Sequence, residues 1–174
     1  MNYLGFHVIR DPRDIVVSAY FSHKKTHPMG DWLKDHRTKL NRVSLEEGIR
    51  LEMDFRAGTF KTMHDWNYNN PRIYETRFEI LTVDSLNQYS DIFRFLGFLP
   101  KYISNTRVQE IVHRYTFERM SKGRKQGEED ANSHFRKGIH GDWVDYIYGE
   151  NKQYFKEKYG TLLIDLGYEQ DLNW

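Results

Sequence analysis

The sequence predicts an α/β domain, on three observations: a short apolar run that breaks into a capped helix, a second short apolar run behind a turn signal, and several segments whose apolar residues recur at helical spacing. The chain has 174 residues, about one domain's length, enough to bury roughly two thirds of its unfolded surface. Apolar residues make up 39% and charged residues 29%, a composition of soluble globular chains and not of disordered ones. A single domain over residues 1–174 is expected, with no repeat, linker or low-complexity tract.

Gly5-Phe6-His7-Val8-Ile9 reads as a buried strand stopped at Arg10-Asp11-Pro12. A helix follows at once, because Asp11 is a good N-cap, Pro12 suits the first helical position and Asp14 places negative charge where the helix dipole favours it. Ile15, Val16, Ala19 and Tyr20 give this helix an apolar face that runs toward His23 and ends before Pro28. From Ser44 to Trp66, Leu45, Ile49, Met53, Phe60 and Met63 recur mainly at helical spacing, as one long helix or as two with Gly58 interrupting. Asn69-Asn70-Pro71 is a turn, and Arg72 to Glu75 a second short strand. Leu86, Tyr89, Phe93 and Leu96 mark a helix closed by Gly97, and Val108, Ile111 and Val112 another from Asn105 to about Tyr115. Residues 121–133 are charged, contain glycine and read as a mobile loop; Lys152 to Leu166 makes the last helix, stopped by Gly167.

Composition narrows the function. Lys and Arg total 26 against 25 Asp and Glu, so the net charge of +1 gives no global attraction to nucleic acid, and any anion site is local. No cysteine is present, which removes disulfides, thiol catalysis and zinc–thiolate sites. No apolar stretch approaches the roughly 20 residues that span a membrane, and Met1 to Ile9 lacks a signal-peptide pattern. Neither a nucleic-acid nor a membrane partner is expected.

Two clusters carry candidate chemistry. Arg10 stands at the carboxyl end of the first strand, where open α/β sheets collect their ligands, and its planar guanidinium suits a phosphate. Ser18, two turns into the following helix, can add a hydroxyl. The competing reading pairs Arg10 with Asp11 or Asp14 and leaves Ser18 as a helix-face residue. The second cluster, His134 to Trp143, follows the loop; its adjacent cations Arg136 and Lys137 with Gly138 and Gly141 let backbone wrap an anion closely, as solvated surface also would. His23 and His27 stand four apart with no supporting carboxylate motif, His7 alternates within a strand as a packed residue, and His134 and His140 flank the cationic cluster. No metal site is assigned.

Together these segments resemble the cytosolic-type sulfotransferases, which use 3′-phosphoadenosine 5′-phosphosulfate (PAPS) as donor. Val8-Ile9-Arg10-Asp11-Pro12-Arg13-Asp14 with Ser18, and Arg136-Lys137-Gly138 with Gly141-Asp142-Trp143, match the family's signatures in order and separation. The resemblance implies a three-layer α/β/α sandwich around a parallel sheet, P-loop nucleotide-kinase-like, represented by its later strands and helices as the C-terminal portion of the domain. It implies that Arg10 and Ser18 grip the donor's 3′-phosphate and that Arg136, Lys137 and Gly138 close over it. Tyr74-Glu75 is similar to a Tyr-Glu-Asp segment whose Tyr borders adenine, with Thr76 in place of the Asp; Tyr74 is equally an ordinary strand tyrosine. Thr116-Phe117 resembles a Thr-Ser-Phe segment whose aromatic stacks on adenine, which makes Phe117 the candidate.

The implied reaction moves a sulfuryl group from PAPS to a hydroxyl or amine of a small-molecule or carbohydrate acceptor, leaving adenosine 3′,5′-bisphosphate, and the implied location is cytoplasmic. No Gly-rich phosphosulfate loop with its Lys and Thr occurs in the 174 residues, and the family's catalytic His would fall before Met1. No catalytic residue is therefore assigned, and a non-catalytic nucleotide- or partner-binding remnant is the alternative. At the family's usual dimer motif stand Val144, Tyr148-Gly149 and Gln153, so that dimer is not expected, although other self-association is open.

Overall fold

A computed structural model describes residues 3–174. Its contacts divide the described residues into two compact units: residues 3–10, 67–128 and 137–139 form one, and residues 11–66, 129–136 and 140–174 the other.

The first unit is built on β1 (Gly5–Ile9) and β2 (Ile73–Arg77), which pair in parallel with Gly5 opposite Ile73 and Ile9 opposite Arg77. The parallel pairing agrees with the expected sheet. β2 runs two residues past the expected Glu75 because β1's five residues find ladder partners as far as Arg77. The short helix α5 (Phe78–Val83), absent from the sequence reading, starts directly after the strand. Then come α6 (Ser85–Phe95), closed by Gly97 at φ +76°, α7 (Asn105–Arg114), N-capped by Ser104, and the single turn α8 (Phe117–Met120). Ile9, Leu81, Ile92, Leu99 and Val108 are its buried apolar residues.

In the second unit α1 spans Pro12–Phe21, and the Asp11 carboxylate accepts the Arg13 backbone N–H at 2.9 Å, the cap that the sequence required. A π-helical turn, Ser22–Thr26, extends it. Its exposed carbonyls are met by α2 (Asp31–Leu40): Arg37 donates to the carbonyls of His23 and His27 at 2.5 and 2.6 Å. α2 was not foreseen. α3 (Leu45–Phe55) and α4 (Ala57–Asp65) settle the one-or-two question, with the break at Arg56 and not at Gly58. A 3₁₀ turn at Asp142–Asp145 precedes α9 (Gly149–Asp165), which ends at Gly167 with φ +67°. Val16, Val17, Leu33, Ile49, Met53, Phe60, Phe155 and Leu163 fill this core. Gly48 brings α3 onto α1, since a Cβ there would lie 2.4 Å from the Tyr20 ring. Tyr159 on α9 donates to the Met53 carbonyl at 3.0 Å and ties α9 to α3.

Candidate functional site

In the first unit the strand register sets the geometry. Ile9 and Arg77 pair, so Arg10 and Phe78 are the next residues of adjacent chains, and the Arg10 guanidinium lies over the Phe78 ring at 4.6 Å. An aromatic face holds the cation at the carboxyl end of the sheet. Tyr74 is the second residue of β2 and not near its end; it is half-buried, its ring 5.7 Å from Phe95. Burial, then the charge of Asp91, raises the Tyr74 pKa above its ordinary value, so it is a neutral hydroxyl at physiological pH. Thr76, standing where the family pattern has Asp, donates to Gln88 Oε1 at 2.9 Å. His7 is opposite Glu75 and hydrogen-bonds to it at 2.8 Å, which uses that imidazole within the sheet.

Gly138 and Phe117 meet. At φ +69° Gly138 occupies the left-handed region, and a Cβ built on it would lie 2.3, 2.4 and 2.7 Å from three Phe117 ring atoms. Two separate constraints, backbone sign and lack of room, require glycine here. Arg124 lies 5.5 Å from the same ring, and the Lys137 carbonyl accepts the Gly127 N–H at 2.8 Å, closing the loop on itself. The loop from residue 121 forms turns and makes hydrogen bonds of its own, including Arg124 Nη1 to the Glu128 carbonyl at 2.9 Å.

In the second unit Ser18 lies half-buried in the second turn of α1. Arg136 stacks 4.3 Å over Phe21, donates to Glu129 at 2.6 Å and to Asp142, and its two acidic partners outweigh the effect of burial to raise its pKa. An anion reaching Arg136 therefore shares it with two carboxylates. Asp11 and Asp14, the expected competitors for Arg10, have large commitments elsewhere. Asp11 accepts twice from the Arg13 guanidinium Nε, at 3.0 and 3.2 Å, and once from its Nη2, at 2.7 Å. Asp14, 1% exposed, accepts the backbone N–H groups of Gly141 at 2.6 Å and Trp143 at 3.0 Å. Composition and helical pattern gave no sign of this clamp, because its two halves are more than a hundred residues apart.

A buried cluster in the second unit was also missed. His23 Nδ1 lies 3.0 and 3.1 Å from the two Glu52 oxygens, His36 Nε2 2.7 Å from Oε2, and Arg56 Nε 3.0 Å from Oε1. Two imidazoles and a carboxylate are metal-ligand types. Ligand atoms on a shared zinc at about 2.0–2.1 Å in tetrahedral geometry stand about 3.3 Å apart, whereas these separations are those of hydrogen bonds. Arg56 Nη2 also donates to His23 Nε2 at 2.6 Å, which assigns the His23 proton to Nδ1 and directs it at Glu52. The group is a hydrogen-bonded charge network. Burial pushes the Glu52 carboxyl up, but hydrogen bonds from His23 and His36, together with the positive charge of Arg56, more than reverse that and hold it below the ordinary carboxylate range.

Residues 6–167 match the sulfotransferase domain family. The chain belongs to that family. Among solved structures, this sulfotransferase-domain chain is similar to mouse sulfotransferase SULT7A1 complexed with PAP, at 18% identity and a TM-score of 0.55, over 91% of this chain and 57% of that one. It is also similar to retinol dehydratase in a complex with retinol and PAP, at 21% identity and TM-score 0.51, and to retinol dehydratase with androsterone and inactive cofactor PAP, at 22% and 0.50; both cover 92% of this chain and 47% of theirs. The chain thus has the sulfotransferase fold and spans about half the length of these structures. No curated protein matches it. Among its described residues no helix is long and apolar enough to cross a membrane.

Proposed function

We propose that this chain is the nucleotide-holding part of a cytoplasmic PAPS-dependent sulfotransferase acting on a hydroxyl or amine of a small-molecule or carbohydrate acceptor. The contact of Gly138 with Phe117 carries the reading: the resemblance assigns one to the 3′-phosphate and the other to adenine, and they lie side by side. The family match across both signatures, and PAP in the related structures, support it further. Arg10 and Ser18 are the proposed 3′-phosphate ligands, with Arg136, Lys137 and Gly138 closing on the same group; Phe117 stacks on adenine and Tyr74 borders it.

In sulfuryl transfer the acceptor oxygen or nitrogen bonds to sulfur, the sulfur–oxygen bond to the 5′-phosphate breaks, and the acceptor proton passes to a base. These residues grip the nucleotide at the end away from the reacting sulfur, so their contribution is binding and orientation. No Gly-rich loop for the 5′-phosphosulfate occurs in the sequence, and removal of a single charge-stabilising donor commonly costs about a hundredfold in rate. The 174-residue chain is accordingly expected to bind adenosine 3′,5′-bisphosphate but to transfer sulfuryl groups very slowly.

Calorimetric titration tests the binding claim. Arg10→Ala should weaken adenosine 3′,5′-bisphosphate by about 1.5–3 kcal/mol, the scale of a hydrogen bond to a charged group, and adenosine 5′-monophosphate much less. Equal losses would remove Arg10 from the 3′-phosphate site, and no binding by the unaltered chain would overturn the reading. Labelled sulfuryl transfer to phenols, alcohols and amines, compared with a polypeptide extended upstream by a Gly-rich loop, tests the rate. Comparable turnover by the two would place the catalytic groups within the 174 residues.

A further inference from the structure

The family match ends at residue 167, yet the residues after it reach back to the start of α1. Glu169 accepts from Arg13 Nη1 at 2.5 Å, and the Trp174 ring lies 4.5 Å from the same guanidinium. Trp143 contacts that guanidinium too, at 3.8 Å, with the two indoles edge to face at 5.6 Å and 89°. Arg13 is 3% exposed, and Asp11 and Glu169 outweigh its burial to raise its pKa. The tail has a seat on α9 as well: Gly160 is buried within the helix, where a Cβ would meet Leu172 at 2.5 Å. A glycine inside a helix is destabilising relative to alanine, so its place under Leu172 marks close docking of the tail.

From Arg13 the contacts run on to the cationic segment. Trp143 packs its ring on Arg13 and gives its backbone N–H to Asp14; Gly141 gives Asp14 its backbone N–H; Asp142 between them holds Arg136. We propose that Glu169 and Trp174 are positioning residues, which act through Arg13 and Trp143 to hold the Arg136-bearing segment against α1, the helix that carries Ser18. The phosphate part of this role rests on the proposed function; the holding part does not. Trp174 serves through its ring face, since its indole N–H is buried with no acceptor and Lys152 and Lys156 lie 5.2 and 5.0 Å from the ring beside Arg13. Glu169 is a second acidic partner, and Arg13 keeps Asp11 when it is neutralised.

The experiment compares the full chain with Trp174→Leu, Trp174→Phe and Glu169→Gln. In nucleotide-free protein, amide exchange at Gly141 and Trp143 should accelerate about tenfold in Trp174→Leu, less in Glu169→Gln and least in Trp174→Phe, with α3 amides unchanged. Unchanged exchange at Gly141 and Trp143 in Trp174→Leu, or a rise equally large in α3, would overturn the holding role. Titration then reads the phosphate role: Trp174→Leu should weaken adenosine 3′,5′-bisphosphate severalfold more than adenosine 5′-monophosphate, with Trp174→Phe restoring most of the difference. Equal effects on both nucleotides would reduce the tail to a structural element. An unaltered chain that binds neither nucleotide would count against the proposed function, and the exchange result would still decide the holding role.

Discussion

Gly138→Ala separates two costs that coincide at one residue. The first is backbone sign: an L side chain at φ +69° pays about 1–2 kcal/mol wherever it sits. The second is the Phe117 ring, with atoms 2.3–2.7 Å from the new Cβ, far inside ordinary contact, so that the ring or the segment must shift. Overpacking of that kind costs about a further 1–3 kcal/mol, for a total of about 2–5 kcal/mol. A Phe117→Ala background removes the second cost and leaves the first. In native-state exchange of the Gly127 amide, whose acceptor is the Lys137 carbonyl at 2.8 Å, the two substitutions should therefore be non-additive by about 1–3 kcal/mol. An additive cycle, with Gly138→Ala equally costly in both backgrounds, would refute the claim that Phe117 excludes a side chain at 138 and would remove the observation on which the nucleotide assignment leans.

Four further outcomes are expected. Glu52→Ala leaves His23, His36 and Arg56 without their shared carboxylate, and breaking a buried pair from one side costs about 3–5 kcal/mol in chemical denaturation; a loss under about 1 kcal/mol would contradict the network. Because the Glu52 pKa is depressed on folding, its contribution is fully present above the ordinary Glu value of about 4.3 and is lost as pH falls through the lower folded value, so Glu52→Gln should flatten the acid limb of the stability curve, and an unaltered limb would exclude that assignment. Exchange across residues 121–138 should slow when adenosine 3′,5′-bisphosphate saturates the protein, and equal exchange with and without it would count against a closing segment. Val144, Tyr148-Gly149 and Gln153 stand where the family's dimer motif would be, so a spin label at the exposed Val144 should give no intermolecular distance near contact at any protein concentration; a short distance would restore the dimer that the sequence argues against.

Local chemistry made much of this chain legible. The junction of β1 and α1 was readable because Asp11, Pro12 and Asp14 are a complete cap within four residues, and Gly97 and Gly167 marked helix ends because only glycine takes those left-handed positions cheaply. α2 escaped because its buried residues are only Leu33, His36 and Leu40, too sparse an apolar stripe to register. The α3–α4 break was misplaced because Gly58 was read as the interruption, while the structure breaks at Arg56, whose side chain turns back to Glu52, and leaves open space around Gly58.

The site divides in the same way. Arg10, Phe117 and Gly138 were nameable as candidates because they lie in short motifs that resemble the family's signatures. What Arg13, Asp14, Glu52 and Trp174 do was not, because each works through partners distant in sequence: Arg13 with Glu169 and Trp143, Asp14 with two backbone amides, Glu52 with imidazoles from two other helices. The sequence by itself determined where α1, α3 and α7 begin, which strand ends in a cation and which family the chain resembles. Only the tertiary structure decided which charges neutralise one another, because a buried carboxylate is satisfied by whatever donors packing brings within about 3 Å, and no local pattern encodes that distance.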